Sequence, residues 1–264
     1  MQYILSLSYG KDSLACLGAI ELLGWPLDRI IHAEVWATDT ILADLPPMAA
    51  FKTQADEIIK TRWGLAVEHV RADQTAEAQM YHIRTRGHRA GQRMGWPMVT
   101  FANRGCELQK ALKVRPMRKF QKDSVTYLGI AADEISRLKG LSDTRKSPLV
   151  AAGWTETMCR KWCEENGLLA PIYEKTERSG CWFCPNQTIV QLRNLRRDYP
   201  ELWALMLRWD ADSPVCFKAH GHPLRDYDRR FQMEDIGLLL PGDKGFRWEK
   251  VDIEKSSGMK SRGD

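Results

Sequence analysis

The chain has 264 residues, 44% of them hydrophobic and 28% charged, with a formal net charge of +5. That suits one large α/β domain with an appended region, or two small domains. No apolar stretch approaches membrane-spanning length, and residues 1–5 enter a strand-like run without a basic leader, so a cytoplasmic protein without a membrane partner is expected. Seven cysteines, an odd number with no secretion signal, weigh against a disulfide framework and point to metal or redox work for any closely spaced pair.

Taken in chain order, residues 4–8 read as a short buried strand, followed by a glycine turn and a helix over 14–23 that ends at Gly24. A second strand is expected over 30–38. Pro46 and Pro47 open a helix to Trp63 with Gly64 as its stop. Residues 65–70 form a third strand, 75–95 helix and then loop, and 106–122 a helix interrupted near Pro116. A fourth strand over 125–130 precedes a short helix at 133–138. Strands alternating with helices imply a parallel sheet covered on both faces. Beyond about residue 149 the pattern becomes helical: an amphipathic helix over 154–166, a turn-rich cysteine segment, a helix from about 187 and another from Pro200. The expected division is an α/β nucleotide-binding domain over 1–150, a helical cysteine-cluster region over 151–249 and a polar tail over 250–264.

Charge is uneven. Residues 84–122 carry eleven Lys or Arg and one acid, Glu107. Such a segment suits an anionic partner, although a solvated basic face would have the same composition.

The first strand runs into Ser8-Tyr9-Gly10-Lys11-Asp12-Ser13 and then a helix. A helix N-terminus offers unpaired amides and partial positive charge, which suit phosphate. Gly10 allows close backbone approach. Ser8 and Ser13 supply hydroxyls and Lys11 a cation, while Asp12 suits a helix cap or a magnesium ion. A capped helix after a glycine turn, with no ligand, has the same residues. Neither G-x-x-x-x-G-K-[ST] nor G-x-G-x-x-G occurs here.

The six residues resemble the S-x-G-x-D-S loop of the PP-loop nucleotide-binding superfamily, an adenine nucleotide alpha hydrolase-like fold. Further segments resemble its phosphoadenosine phosphosulfate (PAPS) reductase branch. They are Trp36-Ala37-Thr38-Asp39-Thr40, then Arg104-Gly105-Cys106 with Leu112-Lys113-Val114-Arg115-Pro116, then Gly129-Ile130-Ala131-Ala132-Asp133-Glu134 with Arg137, and last Pro171-x-Tyr173 with residues 178–185. The resemblance implies ATP or PAPS with magnesium, bound by residues 8–13, Trp36, Asp39, Thr40 and Gly129. It makes Lys11, Asp12, Arg104, Lys113 and Arg137 candidate catalytic contacts to phosphate or acceptor. The Glu-Cys-Gly motif of thioredoxin-linked reductases is absent, and Cys106 stands alone where iron–sulfur reductases have adjacent cysteines.

Cys181 and Cys184 form a C-x-x-C on a turn, and Cys159 and Cys163 lie one helical turn apart. A local zinc site would use these four. The chain is also similar to the iron–sulfur sulfurtransferases of DNA phosphorothioation, which implies a [4Fe–4S] cluster on Cys106, Cys163, Cys181 and Cys184. Cys16 is expected in the core. Trp182 and Phe183 suit shielding of a cluster or ordinary packing. The expected activity is an ATP-dependent sulfurtransferase that adenylylates an acceptor, with a nucleic-acid acceptor and a sulfur-donor protein as partners. The alternatives are reduction of PAPS or adenylyl sulfate, and a nucleotide-binding partner subunit without turnover.

Overall fold

The alternating pattern of the first half folds into an all-parallel five-stranded sheet. Its strands are β1 (Gln2–Leu7), β2 (Arg29–Glu34), β3 (Val67–Arg71), β4 (Ser124–Tyr127) and β5 (Arg145–Lys146), in the order β3-β2-β1-β4-β5. The computed structural model describes residues 1–97, 106–174, 180–218 and 222–243, together with Phe246 and Trp248. Register sets Ile4 opposite Arg29 on one side of β1 and Gln2 opposite Ser124 on the other. Alternate side chains of β1 then serve opposite faces. Leu5 and Leu7 join the large core under α1 (Lys11–Leu23) and α2 (Pro46–Trp63), while Ile4 packs with Ile31 and Met117 on the other face.

β1 is the central strand, and the chain leaves it in both directions, to β2 on one side and to β4 on the other. In open α/β sheets such a switch in strand order leaves a crevice at the carboxyl ends of the strands.

By internal contacts the chain divides into two compact units, one of residues 1–79 and 102–182, the other of residues 80–101 and 183–264. In the first, α7 (Pro148–Ala152) and α8 (Glu156–Glu165) pack on α1. Gly18 makes this possible: a Cβ there would lie 2.4 Å from the Trp162 ring. In the second, α9 (Ile189–Asp198), α10 (Pro200–Asp212) and α11 (Leu224–Asp235) form a helical group. Trp96 inserts beside Trp209 and Phe217, and its indole N–H donates to the buried Asp210 carboxylate at 2.9 Å. Trp203 and Trp209 are buried, as packing residues are.

Several expected boundaries move. The first helix begins at Lys11, three residues before the expected 14, because the loop itself supplies the first turn. The second strand stops at Glu34, and residues 35–43 fold back as a tight loop bridged between Trp36 and Leu42. The expected interruption near Pro116 is a change of winding rather than a break. After α4 (Glu107–Gln109) the chain widens into a π-helical segment, Lys110–Val114, and continues as α5 (Arg115–Gln121). Proline removes one amide and collides with the carbonyl four residues back. The wide π turn, closed by the Arg115 amide on the Lys110 carbonyl, makes room for it. β5, α7 and α11 had no expected counterpart. Among the described residues no helix is long and apolar enough to cross a membrane.

Candidate phosphate-binding loop

Ser8, Tyr9 and Gly10 carry the chain from the end of β1 into α1. Two hydroxyls close the loop on itself. Ser13 Oγ donates to the Gly10 carbonyl at 3.0 Å and accepts from the Ser8 amide at 3.1 Å. Its single proton is thereby used, so the Ser8 hydroxyl, 3.0 Å away, donates to it. The Lys11 amide donates to the Tyr173 hydroxyl at 3.1 Å, which brings the Pro171-x-Tyr173 segment to the loop. Gly10 is the N-cap residue, and no side chain caps the helix. Asp12 therefore lies within the first turn and does not cap it. The first-turn amides of α1 have no acceptor within the helix and carry its positive dipole end.

The charges around this turn are arranged in a short chain. Lys11 Nζ lies 2.8 Å from Asp12 Oδ1 and 2.7 Å from Glu156 Oε2 at the start of α8. Burial pulls the Lys11 ammonium down, but the hydrogen bonds to Asp12 and Glu156 outweigh it and hold the group above the usual lysine range. Asp12 also shifts upward, which the pairing alone would not give. Burial, with Glu156 and Glu134 nearby, outweighs the pull of Lys11. Asp133 accepts from the Glu156 amide at 3.1 Å, tying the turn after β4 to α8. Arg137 is engaged within that turn, 2.7 Å from Glu134, which also accepts from the Ala131 amide.

Gly129 lies against the loop's other flank, in backbone contact with Ser13. Trp36, Asp39 and Thr40 lie on the loop after β2. Trp36 donates its indole N–H to Glu34 at 2.7 Å and lies 4.3 Å beneath the Arg71 guanidinium. The Thr38 hydroxyl accepts from the Thr40 and Ile41 amides, while Asp39 is exposed near Arg71. Lys113 is exposed on the π segment, near enough to His32 to disfavour a charge there. Arg104 lies outside the described residues.

Sequence reasoning treated Tyr9 as a ligand contact. Its side chain is instead fully buried at 0% exposure, which leaves only its backbone to face a ligand. The hydroxyl donates to Asp56 on α2. Around it stands a polar group that was not anticipated. His32 donates from Nδ1 to the Leu7 carbonyl at 2.9 Å, so its Nε2 accepts from Lys52 at 2.9 Å. Burial, with the Lys52 charge added, holds His32 well below the usual histidine range and keeps it neutral. Lys52 in turn lies 2.5 Å from Asp44. The available signals were a histidine inside an apolar strand and Lys52 and Asp56 on one face of α2, four residues apart.

The cysteines fall into two groups. Cys16, Cys159 and Cys163 are buried in the core of the first unit. Cys163 donates its thiol to the Lys11 carbonyl at 3.2 Å. Burial pushes Cys159 up to about 12 and Cys16 and Cys163 well above the usual thiol range. Cys106, Cys181 and Cys184 are half-buried. Between the last two, Trp182 and Phe183 are buried. The Trp182 indole donates to the Leu42 carbonyl at 2.8 Å, and Phe183 meets Trp209 edge-on. Among the described residues no three His, Cys, Asp or Glu side chains form a group that could hold a metal ion. Within the first unit, neither Cys106, Cys163 and Cys181 nor Cys159, Cys163 and Cys181 are drawn together as such a group. Cys163 lies in the α1–α8 interior.

No protein-family model matches this sequence, and no curated protein matches it at a significant level.

Proposed function

We propose that the chain binds the phosphates of an adenine nucleotide on residues 8–13 and acts as an ATP-dependent sulfurtransferase of the PAPS reductase type within the PP-loop superfamily. One observation carries the reading. The loop leaves the central strand of a parallel sheet at its switch in strand order and opens directly into α1, with the Gly129 backbone against it. That arrangement concentrates amides and a helix dipole where an anion would sit.

In this scheme ATP enters with Mg²⁺. The first-turn amides of α1 and Lys11 take the phosphate oxygens and stabilise charge as it builds. An acceptor oxygen attacks the α-phosphorus, pyrophosphate leaves, and the acceptor is adenylylated. A sulfur nucleophile brought by a donor protein then displaces AMP. The basic segment that includes Arg104 and Lys113 supports an anionic acceptor such as nucleic acid. No step here is routed through a metal or cluster.

The test is ATP binding and turnover. Calorimetric titration should show ATP·Mg binding that weakens at least about tenfold when Gly10, Asp12 and Ser13 are replaced together, each charge-assisted contact contributing on the order of 1.5–3 kcal/mol. Pyrophosphate release stimulated by an acceptor supports adenylylation, and sulfite release from PAPS would replace this reading with reduction. Failure to bind either nucleotide, or equal affinity after the replacements, would refute the assignment.

A further inference from the structure

Tyr9 has φ +55°, in the left-handed region that bulky residues rarely adopt. A side chain can stay there only when its surroundings over-determine it. The surroundings of Tyr9 do so from several directions. Its hydroxyl donates to Asp56 on α2. His69 on β3 lies 3.1 Å from the same oxygen through Nε2 and 2.8 Å from Asp56 Oδ2. The neutral His32 ring meets Tyr9 edge-on at 4.7 Å, and Lys52 Nζ lies 5.3 Å from its ring centre. Asp56 and His69 are themselves partly exposed, so the chain of contacts runs from the loop to the protein surface.

The backbone direction at Tyr9 decides where the next amides point. The Gly10 amide donates to Ser8 Oγ at 3.4 Å and the Lys11 amide to Tyr173 at 3.1 Å. A change in φ at residue 9 would swing the Gly10 amide away from Ser8 Oγ, whereas the Gly10 carbonyl, and with it the Lys11 amide of the same peptide, is held by Ser13 Oγ and the Leu14 amide.

We infer that Tyr9, Asp56 and His69 form a positioning relay that holds residue 9 left-handed and thereby aims the Gly10 amide, at the entry to α1, at a bound phosphate. The inference rests on the nucleotide reading of residues 8–13 for its ligand, but the relay itself exists in the nucleotide-free chain. None of the three side chains touches the ligand; they act through the backbone. The alternative, that Tyr9 merely fills space, predicts lower stability without a change in the loop.

Two measurements on the full chain decide between them. Amide hydrogen exchange over residues 8–14 is followed without nucleotide, and ATP·Mg affinity is measured by calorimetry. Tyr9→Phe keeps the ring and removes the hydroxyl. Asp56→Ala removes the acceptor of the same bond from a partly exposed position, where folding is less at risk. Each should speed loop exchange severalfold and weaken ATP about tenfold, and the double variant should lose little more than either single one. Tyr9→Gly should keep more affinity than Tyr9→Ala, because glycine takes positive φ unaided. Wild-type loop exchange in Tyr9→Phe and Asp56→Ala, with only the melting temperature lowered, would overturn the relay. If ATP binds the native chain and both variants equally, the relay fails and the nucleotide reading stands. If the native chain binds no ATP while the variants still loosen the loop, the nucleotide reading fails and the relay stands.

Discussion

A Cβ added to Gly129 would come within 2.6 Å of the Ser13 amide nitrogen and 2.7 Å of its Cα. Both neighbours are main chain at the start of α1, so neither can rotate aside. Gly129→Ala should force the first turn of α1 away from the end of β4. Overpacking of this kind costs about 1–3 kcal/mol, and the displaced amides should weaken ATP binding as well. Thermal melts and calorimetry on the same variant check both effects. Native stability with native affinity would contradict the close approach.

The contact between α1 and α8 makes a second demand on space. Gly18→Ala would place a methyl 2.4 Å from the Trp162 ring, which is hemmed in by Trp63 and Trp154. The expected loss is again about 1–3 kcal/mol. Replacing Trp162 by Leu in the Gly18→Ala background should recover part of it. Urea denaturation of the two variants and their combination would show whether the losses are non-additive, as a shared contact requires.

Removing the Lys11 charge should hurt binding more than folding. Lys11→Met would leave the Asp12 and Glu156 carboxylates facing the loop without their shared cation. ATP affinity is expected to fall about tenfold or more, the scale of one lost charge-assisted hydrogen bond. Because the folded ammonium is held above the unfolded value of 10.5, its contribution is complete below that pH. It is lost only as pH rises through the higher folded value. ATP affinity should therefore not decline through loss of the Lys11 charge between about pH 7 and 9, which a pH series of titrations can read.

In the helical unit, Glu234 is the buried acid between Arg193 at 2.5 Å and Arg230 at 3.0 Å. Burial pushes its carboxyl up, but the two guanidinium groups outweigh burial and hold it below the ordinary 4.5. A depressed carboxyl stabilises the fold fully above its unfolded value, and that stability is lost as pH falls through the folded one. Glu234→Gln should cost about 3 kcal/mol near neutrality, as buried pairs do when one partner is removed. The gap in melting temperature between native and variant protein should narrow below about pH 4. A constant gap down to strong acid would argue against the ion pairs.

Thiol chemistry separates the cysteines. Cys16, Cys159 and Cys163 are buried, whereas Cys106, Cys181, Cys184 and Cys216 are at least partly exposed. A chromogenic disulfide reagent should modify four thiols quickly in the native, metal-free protein and all seven only after denaturation. Mass spectrometry would identify them. Rapid labelling of Cys163 would show that it is free to serve as a ligand, contrary to its place between α8 and α1.

The parallel sheet was legible because its strands are apolar runs separated by helices with clear stops, as at Gly24 and Gly64. The helix from Pro46 to Trp63 was read to the residue. β5 escaped because two residues, Arg145 and Lys146, carry no periodicity, and its pairing is a property of the sheet edge. α11 escaped because Leu224, Tyr227 and Phe231 are sparse among charges, several of which pair across helices, as Glu234 does with Arg193. At the candidate site, Gly129 was noted from its motif and Tyr9 as part of the loop. Only three dimensions show that the Tyr9 side chain turns inward to Asp56 and His69, residues far away in sequence. Cys163 was singled out by spacing and by resemblance, and only the structure shows that the apolar face of α8 that carries it is the one α1 covers.

The strand order has a consequence for how this protein can be divided. The loop of residues 8–13 and the turn beginning at Gly129 meet at the edge of one crevice, yet they enter the chain at opposite ends of the sheet-forming sequence. An amino-terminal fragment that stops before Gly129, or a carboxyl-terminal one that begins after Ser13, lacks part of the cradle. Two pieces cut between Ser13 and Gly129 and expressed separately would have to reassemble before the cradle existed at all.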